Sequence, residues 1–287
     1  MIEARFYHST AKGVQCDLCP NECNLSEGQR GICSSRICLN GKLWSEAYGH
    51  PCALAIDPVE KKPLMQFHPG TKCYSVACSG CNFHCLNCQN FEISQAKPSE
   101  VESLEASPED LVGACLASHC PSIAYTYTEP LTYFEYIFDT ARLAREKGLY
   151  NILVSAGYVN QKPLSELAPL LDAANIDLKS FSDNIYRRVS GGTLQPVLDT
   201  LLLLKDAGVH LEITNLLIPT VNDDMSMIRD MCKWLSSNGF ADCPLHFSRF
   251  FPRFKMNNLP PTPLETLEKA QKIALEEGIK SIYLGNI

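Results

Sequence analysis

The run CYSVACSGCNFHCLNC, residues 73–88, decides the fold. Cys73 to Cys78 is small or apolar, carries the β-branched Val76, and reads as a buried strand. Directly after it comes Cys81-x3-Cys85-x2-Cys88, three thiols on one short loop. One strand with a cysteine-bearing loop marks a repeating fold only where more strand units follow.

They do. Ser122 to Tyr127, Asn151 to Ser155, Ala174 to Leu178, Val209 to Asn215, Pro244 to Phe247 and Ser281 to Leu284 are short apolar runs bounded by turn residues. Longer amphipathic stretches lie between them. Ser107-Pro108-Glu109-Asp110 and Thr262-Pro263-Leu264-Glu265 each set a hydroxyl, then a proline, then an acid, the pattern of a helix start. Gly148, Gly208, Gly239 and Gly278 fit helix ends. About six strand-helix units predict an α/β barrel, full or partial, and a doubly wound open sheet gives the same one-dimensional pattern. In both architectures the ligand site lies at the carboxyl ends of the strands.

Upstream, the chain is rich in Gly, Pro, Cys and Asn without sustained periodicity. A boundary at His68-Pro69-Gly70 divides it into a small, cysteine-rich, loop-dominated module, residues 1–70, and a barrel domain, residues 71–287. The module contains Cys16-x2-Cys19-x3-Cys23-x9-Cys33. Four close thiolates form a closed shell, as structural zinc or an auxiliary [4Fe-4S] cluster requires, with a structural or electron-relay role. Cys38, Cys52 and Cys73 are possible substitutes in that set. Cys115, Cys120, Cys232 and Cys243 sit among apolar neighbours and read as small core residues.

Composition narrows the class. The 287 residues are 45% hydrophobic and 20% charged, enough for one large core and unlike a disordered chain. Lys and Arg number 25 against 32 acids, a net charge of −7 with no basic block, which argues against nucleic acid as a partner. The opening MIEARFYHST lacks the stretches of a secretory signal, and no apolar run approaches the roughly 18 residues of a membrane span. The expectation is a cytoplasmic protein without a membrane partner. Fifteen cysteines in a reducing compartment point to metal rather than disulfides.

Three thiolates on one loop can hold three irons of a [4Fe-4S] cube and leave the fourth iron open to a ligand. The other reading of this spacing is a zinc site completed by Cys78, through Cys78-x2-Cys81.

The triplet after a first strand resembles the signature of the radical S-adenosylmethionine (SAM) superfamily. Further stretches are similar to the radical SAM enzymes of the AmmeMemoRadiSam system, relatives of the pyruvate formate-lyase and other glycyl-radical-enzyme activating enzymes. These stretches are Asp57-Pro58-Val59-Glu60-Lys61-Lys62-Pro63-Leu64, Cys88-Gln89-Asn90-Phe91-Glu92-Ile93-Ser94-Gln95, Tyr125-Thr126-Tyr127-Thr128-Glu129-Pro130, Asp177-Leu178-Lys179 and His246-Phe247-Ser248-Arg249-Phe250. The likeness runs over nearly the whole chain.

The resemblance implies a partial (β/α)6-type TIM barrel. It also implies a [4Fe-4S] cluster on Cys81, Cys85 and Cys88, with the amino and carboxylate groups of SAM on the open iron. By the same likeness Glu129 accepts from the SAM amino group, and Ser155 stands by the ribose, where Ala156 replaces the usual Asn. Lys179 and His246 hold the carboxylate, Ile218 lies along the adenine, and Arg249 assists electrostatically or faces the substrate. Asn87 stands where an aromatic residue is common.

The implied reaction is reductive cleavage of SAM to methionine and a 5′-deoxyadenosyl radical, which abstracts hydrogen from a substrate: a small molecule, a peptide or a glycyl-radical protein. A flavodoxin or ferredoxin-type donor would supply the electron. An iron-sulfur electron carrier and a zinc-stapled binding module are the competing classes.

Overall fold

The computed structural model describes residues 1–287. Residues 1–45 contain six short strands, β1 (Ile2–Glu3), β2 (Tyr7–Thr10), β3 (Gly13–Cys16), β4 (Asn24–Leu25), β5 (Arg36–Leu39) and β6 (Lys42–Ser45). They form two three-stranded sheets, β1-β6-β5 and β2-β3-β4. The expected loop-dominated module is thus rich in strands, each too short to print an alternating pattern on the sequence.

The main sheet has eight strands in sequential order: β7 (Ala53–Pro58), β8 (Lys72–Ala77), β9 (Ser122–Tyr125), β10 (Tyr150–Ser155), β11 (Ala173–Asp177), β12 (His210–Leu217), β13 (Leu245–Arg249) and β14 (Ile282–Gly285). From β8 to β14 every pairing is parallel, whereas β7 runs antiparallel to β8. The edges β7 and β14 are not paired with each other, so the barrel is open on one side. All seven strands expected from Cys73 onward are present. Because β7 belongs to this sheet, the sheet starts upstream of residue 71.

Eight helices follow the strands: α1 (Phe91–Ser94), α2 (Pro108–Ala117), α3 (Phe134–Glu146), α4 (Gln161–Leu167), α5 (Asp183–Ile185), α6 (Gln195–Asp206), α7 (Met225–Ser237) and α8 (Leu264–Glu276). Ser107 caps α2 as its sequence predicts: Ser107 Oγ accepts from Asp110 N at 3.2 Å and Asp110 Oδ2 accepts from Ser107 N at 2.8 Å. Thr262 does not cap α8. Its hydroxyl instead donates to Leu217 O at 2.6 Å and accepts from Phe250 N at 3.0 Å, joining the ends of β12 and β13.

Residues 63–66, between β7 and β8, plug the amino-terminal mouth of the barrel. Asn175 donates to Pro63 O, the backbone N–H groups of Met65 and Gln66 donate to the Glu212 carboxylate, and Gln66 reaches Ser281 and Tyr283. Leu64 packs there with Cys73, Ala124, Ile152 and Ala173. With that end sealed, ligand space remains at the carboxyl ends.

A buried ion pair joins the N-terminal strands to the barrel. Arg36 Nη2 donates to both oxygens of Glu135 on α3, at 2.7 and 2.8 Å, and its Nε donates to Thr132 O at 3.1 Å.

Candidate functional site

A cavity of about 610 Å³ opens at the carboxyl ends of the parallel strands. Cys81, Cys85 and Cys88 all line it, on the loop between β8 and α1. Cys78, the fourth ligand of the zinc alternative, is fully buried at the end of β8 and does not line it.

Backbone bonds clamp the loop: His84 N donates to Ser190 O at 2.8 Å, Leu86 N to Val189 O at 2.9 Å, and Lys255 N to Leu86 O at 3.0 Å. Inside it, buried Phe83 packs on Tyr158 with ring centroids 4.7 Å apart. Gly192 makes room for that ring, since a Cβ there would stand 2.2 Å from Phe83.

Burial raises the Cys81 thiol well above its ordinary value, and the Glu129 and Cys85 charges add to this. Burial also raises Cys85, against the nearby Lys179 ammonium. Binding of a cationic metal centre would reverse the balance by taking the proton's place.

Glu129 follows β9 and is 1% exposed. Its Oε1 accepts from Ser155 Oγ at 2.7 Å and Leu131 N at 3.1 Å, and its Oε2 accepts from Ala156 N at 2.9 Å. Burial raises its pKa against those three bonds. The carboxylate is therefore rigidly placed on the cavity wall. Ser155 also lines the cavity, but its hydroxyl donates to Glu129 and accepts from Gly157 N at 2.9 Å, so it serves to position that acid.

Lys179, just beyond β11, pairs through Nζ with Asp177 at 2.8 Å and lines the cavity. Burial works against its ammonium, but Asp177 and Cys85 beside it outweigh that and raise its pKa. Ile218 lines the cavity past the end of β12 and donates its N–H to Asn222 Oδ1 at 2.6 Å.

Two expected residues stand elsewhere. His246 is the second residue of β13, not its end, and its Nε2 lies 2.6 Å from Glu212 Oε2 near the amino-terminal plug. The strand extends to Arg249, two residues beyond its expected end at Phe247, which moves His246 away from the rim. Arg249 donates through Nε to Thr262 O at 2.8 Å, covers the Phe251 ring, and does not line the cavity. Neither is placed to touch a ligand there.

Sequence reading missed Asn222 and Lys61. Asn222 lines the cavity and ties strand ends together by donating to Lys179 O at 2.7 Å and Leu216 O at 2.8 Å. An Asn soon after a strand end, beside Asp223 and Asp224, was its only signal. Lys61 lines the cavity from the turn after β7.

The four N-terminal cysteines lie together. Cys16 and Cys33 are buried, and the Sγ atoms of Cys23 and Cys33 are 3.7 and 3.6 Å from where a Cβ on Gly31 would stand. Burial raises Cys19 up to about 12, assisted by Cys16 and Cys33. In the free chain no three His, Cys, Asp or Glu side chains are gathered closely enough to share a single ion.

Comparison with known proteins agrees with this geometry. The model of the Radical SAM superfamily matches residues 76–234. An uncharacterized protein of Methanocaldococcus jannaschii is 45% identical over 288 residues, covering 100% of this chain and 86% of that protein. The pyruvate formate-lyase 1-activating enzyme of Escherichia coli is 20% identical over 218 residues, 71% of this chain and 89% of the enzyme. Among solved structures, Streptococcus suis SuiB bound to S-adenosylmethionine has a TM-score of 0.57 at 10% identity, over 72% of this chain and 48% of that one. SuiB has also been solved bound to its precursor peptide SuiA. The chain belongs to the radical SAM superfamily, whose members are enzymes using a [4Fe-4S] cluster and SAM. Pyruvate formate-lyase activating enzymes are among its homologues.

Proposed function

We propose that Cys81, Cys85 and Cys88 hold a [4Fe-4S] cluster with one open iron, and that SAM binds to it inside the same cavity. The observation that carries this is convergence: three thiols, a fixed carboxylate at Glu129 and an ammonium at Lys179 face one space at the carboxyl ends of successive strands. The donor set suits the group, since thiolates are the ligands such clusters take and three leave a position open.

When bound, the cluster and SAM together supply a 5′-deoxyadenosyl radical able to take hydrogen from a substrate. The chain's own part is to bind and orient. Glu129, locked by Ser155, Leu131 and Ala156, accepts from the SAM amino group. Lys179, steadied by Asp177, presents a mobile point charge to the carboxylate. Ile218 offers an apolar surface to the adenine, and Phe83 and Tyr158 pack behind the cluster loop. Relatives that activate a glycyl-radical enzyme or bind a peptide support a peptide or protein as hydrogen donor, alongside a small molecule. A flavodoxin or ferredoxin-type protein supplies the electron in this reading.

Cys16, Cys19, Cys23 and Cys33 form a second, closed metal site in the same proposal, filled by zinc or an auxiliary [4Fe-4S] cluster. The proximity of the four thiols, which raise one another's pKa, supports it. Metal analysis after anaerobic reconstitution tests both sites at once. Cys85→Ala should lose about four irons and keep the N-terminal metal, while Cys19→Ala should do the opposite. Loss of all metal on either change would overturn the assignment of two separate sites.

A further inference from the structure

The motif Asp57-Pro58-Val59-Glu60-Lys61-Lys62 holds two acids and two lysines: Asp57 bonds both ammonium groups, while Glu60 accepts from Gly70 N instead. Asp57 is buried. Its Oδ2 accepts from Lys62 Nζ at 2.6 Å, from Ser75 Oγ at 2.9 Å and from the Tyr127 hydroxyl, while its Oδ1 accepts from Lys61 Nζ at 2.8 Å. These donors outweigh burial and hold its carboxyl well below the ordinary range.

The two lysines are not equivalent. The Lys62 side chain is 1% exposed, and its ammonium lies 3.3 Å from the Tyr127 hydroxyl and 4.4 Å from the ring centroid. It cannot leave Asp57 without stranding a buried charge. Lys61 is 64% exposed and bonds Asp57 only through the oxygen Lys62 does not use. One carboxylate neutralises one ammonium, so the trio carries a net charge of +1, and the surplus resides on Lys61.

Lys61 faces the cavity at the side where the sheet does not close, since β7 is an edge strand. The other charges on the wall are committed: Lys179 is matched by Asp177, and Glu129 is held by three donors. The Lys61 ammonium is solvent-facing, and Asp57 would keep the Lys62, Ser75 and Tyr127 donors without it, so Lys61 can exchange Asp57 for a ligand. Tyr127 joins it on the same wall. Its backbone has φ +67°, and its carbonyl accepts from Asn90 Nδ2 at 2.7 Å.

We infer that Lys61 receives an anionic group, a carboxylate or a phosphate, on the molecule that enters the cavity beside SAM. The inference rests on the cluster-and-SAM reading above and adds the chemical class of the substrate. Asp57 and Lys62 are positioning residues: they fix the motif and leave Lys61 in excess.

The test is isothermal titration of the reconstituted, SAM-loaded protein with malonate and, separately, with inorganic pyrophosphate. Wild type should bind at least one of them, and the tighter of the two identifies the group as carboxylate or phosphate. Lys61→Met should weaken that binding by at least about tenfold and Lys61→Arg by no more than a few-fold, with iron content and SAM affinity as in wild type. If neither anion binds wild type, or Lys61→Met binds as tightly, the inference fails while the reading beneath it stands. If Lys61→Met loses SAM equally, the anion is SAM's own carboxylate and the inference fails. A wild type that takes up neither cluster nor SAM overturns the reading itself.

Discussion

Gly80 and Cys33 are in backbone contact: a Cβ on Gly80 would stand 2.3 Å from the Cys33 carbonyl oxygen. The loop of the N-terminal cysteines therefore sits directly on the loop of Cys81, Cys85 and Cys88. Asn21 Nδ2, donating to Asn82 O at 2.9 Å, adds a second tie. In the proposed assignment, two metal sites share one seam.

Gly80→Ala should open that seam. Gly80 has φ +99°, where a side chain is strained by about 1–3 kcal/mol before the clash with Cys33 is counted. Thermal unfolding of the protein should shift down by several degrees, at about 2–4 °C per kcal/mol. Gly113→Ala, in α2 with open space around it, is the control and should leave the midpoint unchanged or slightly raised. Equal midpoints for Gly80→Ala and wild type would contradict the close packing.

Glu129→Gln keeps the side chain's shape but replaces one of the two acceptor oxygens by an NH2 donor that faces the donors holding it. The expected result is a ten- to hundredfold weaker SAM affinity, the scale of about 1.5–3 kcal/mol for a hydrogen bond to a charged group, with iron content retained. Equilibrium dialysis decides it, and unchanged affinity would remove Glu129 from the SAM site. The metal-free chain offers a pH test as well. Burial raises the folded-state pKa of Glu129, so its contribution is complete at acid pH and is lost as pH rises through that raised value. Glu129→Gln should therefore lose less stability than wild type between acid and neutral pH.

Glu212 has the opposite sign. Burial would raise its carboxyl, but hydrogen bonds from His210, His246 and the Met65 and Gln66 N–H groups bring it down to about 2. Its contribution is present above its ordinary value of 4.5 and is lost as pH falls from there toward 2. Chemical denaturation across that window should show a shallower acid limb for Glu212→Gln than for wild type, by on the order of 2–3 kcal/mol. Parallel limbs would refute the buried carboxylate as the cause.

The sequence carried the parallel part of the fold well. Each strand from β8 to β14 is an apolar run bounded by turns, and Ser107-Pro108-Glu109-Asp110 marked the start of α2 where it occurs. The strands β1 to β6 were illegible because two to four residues cannot display a period. Strand β7 was hidden by its partly exposed, edge-strand composition. At the site, Cys81, Cys85, Cys88, Glu129 and Lys179 could be found by spacing and resemblance. Roles set by tertiary pairing could not. His246 belongs to Glu212 across two strands, Ser155 to Glu129, and Lys61 is distinguished from Lys62 only by which one the fold buries.

In the proposed function, SAM is reductively cleaved in this cavity at the three-cysteine cluster. The most direct measurement is anaerobic reconstitution with iron and sulfide, addition of dithionite and SAM, and chromatography for 5′-deoxyadenosine with wild type and Cys85→Ala. The nucleoside is expected from wild type alone. A wild type whose cluster is present and reduced, yet which forms none, would contradict it.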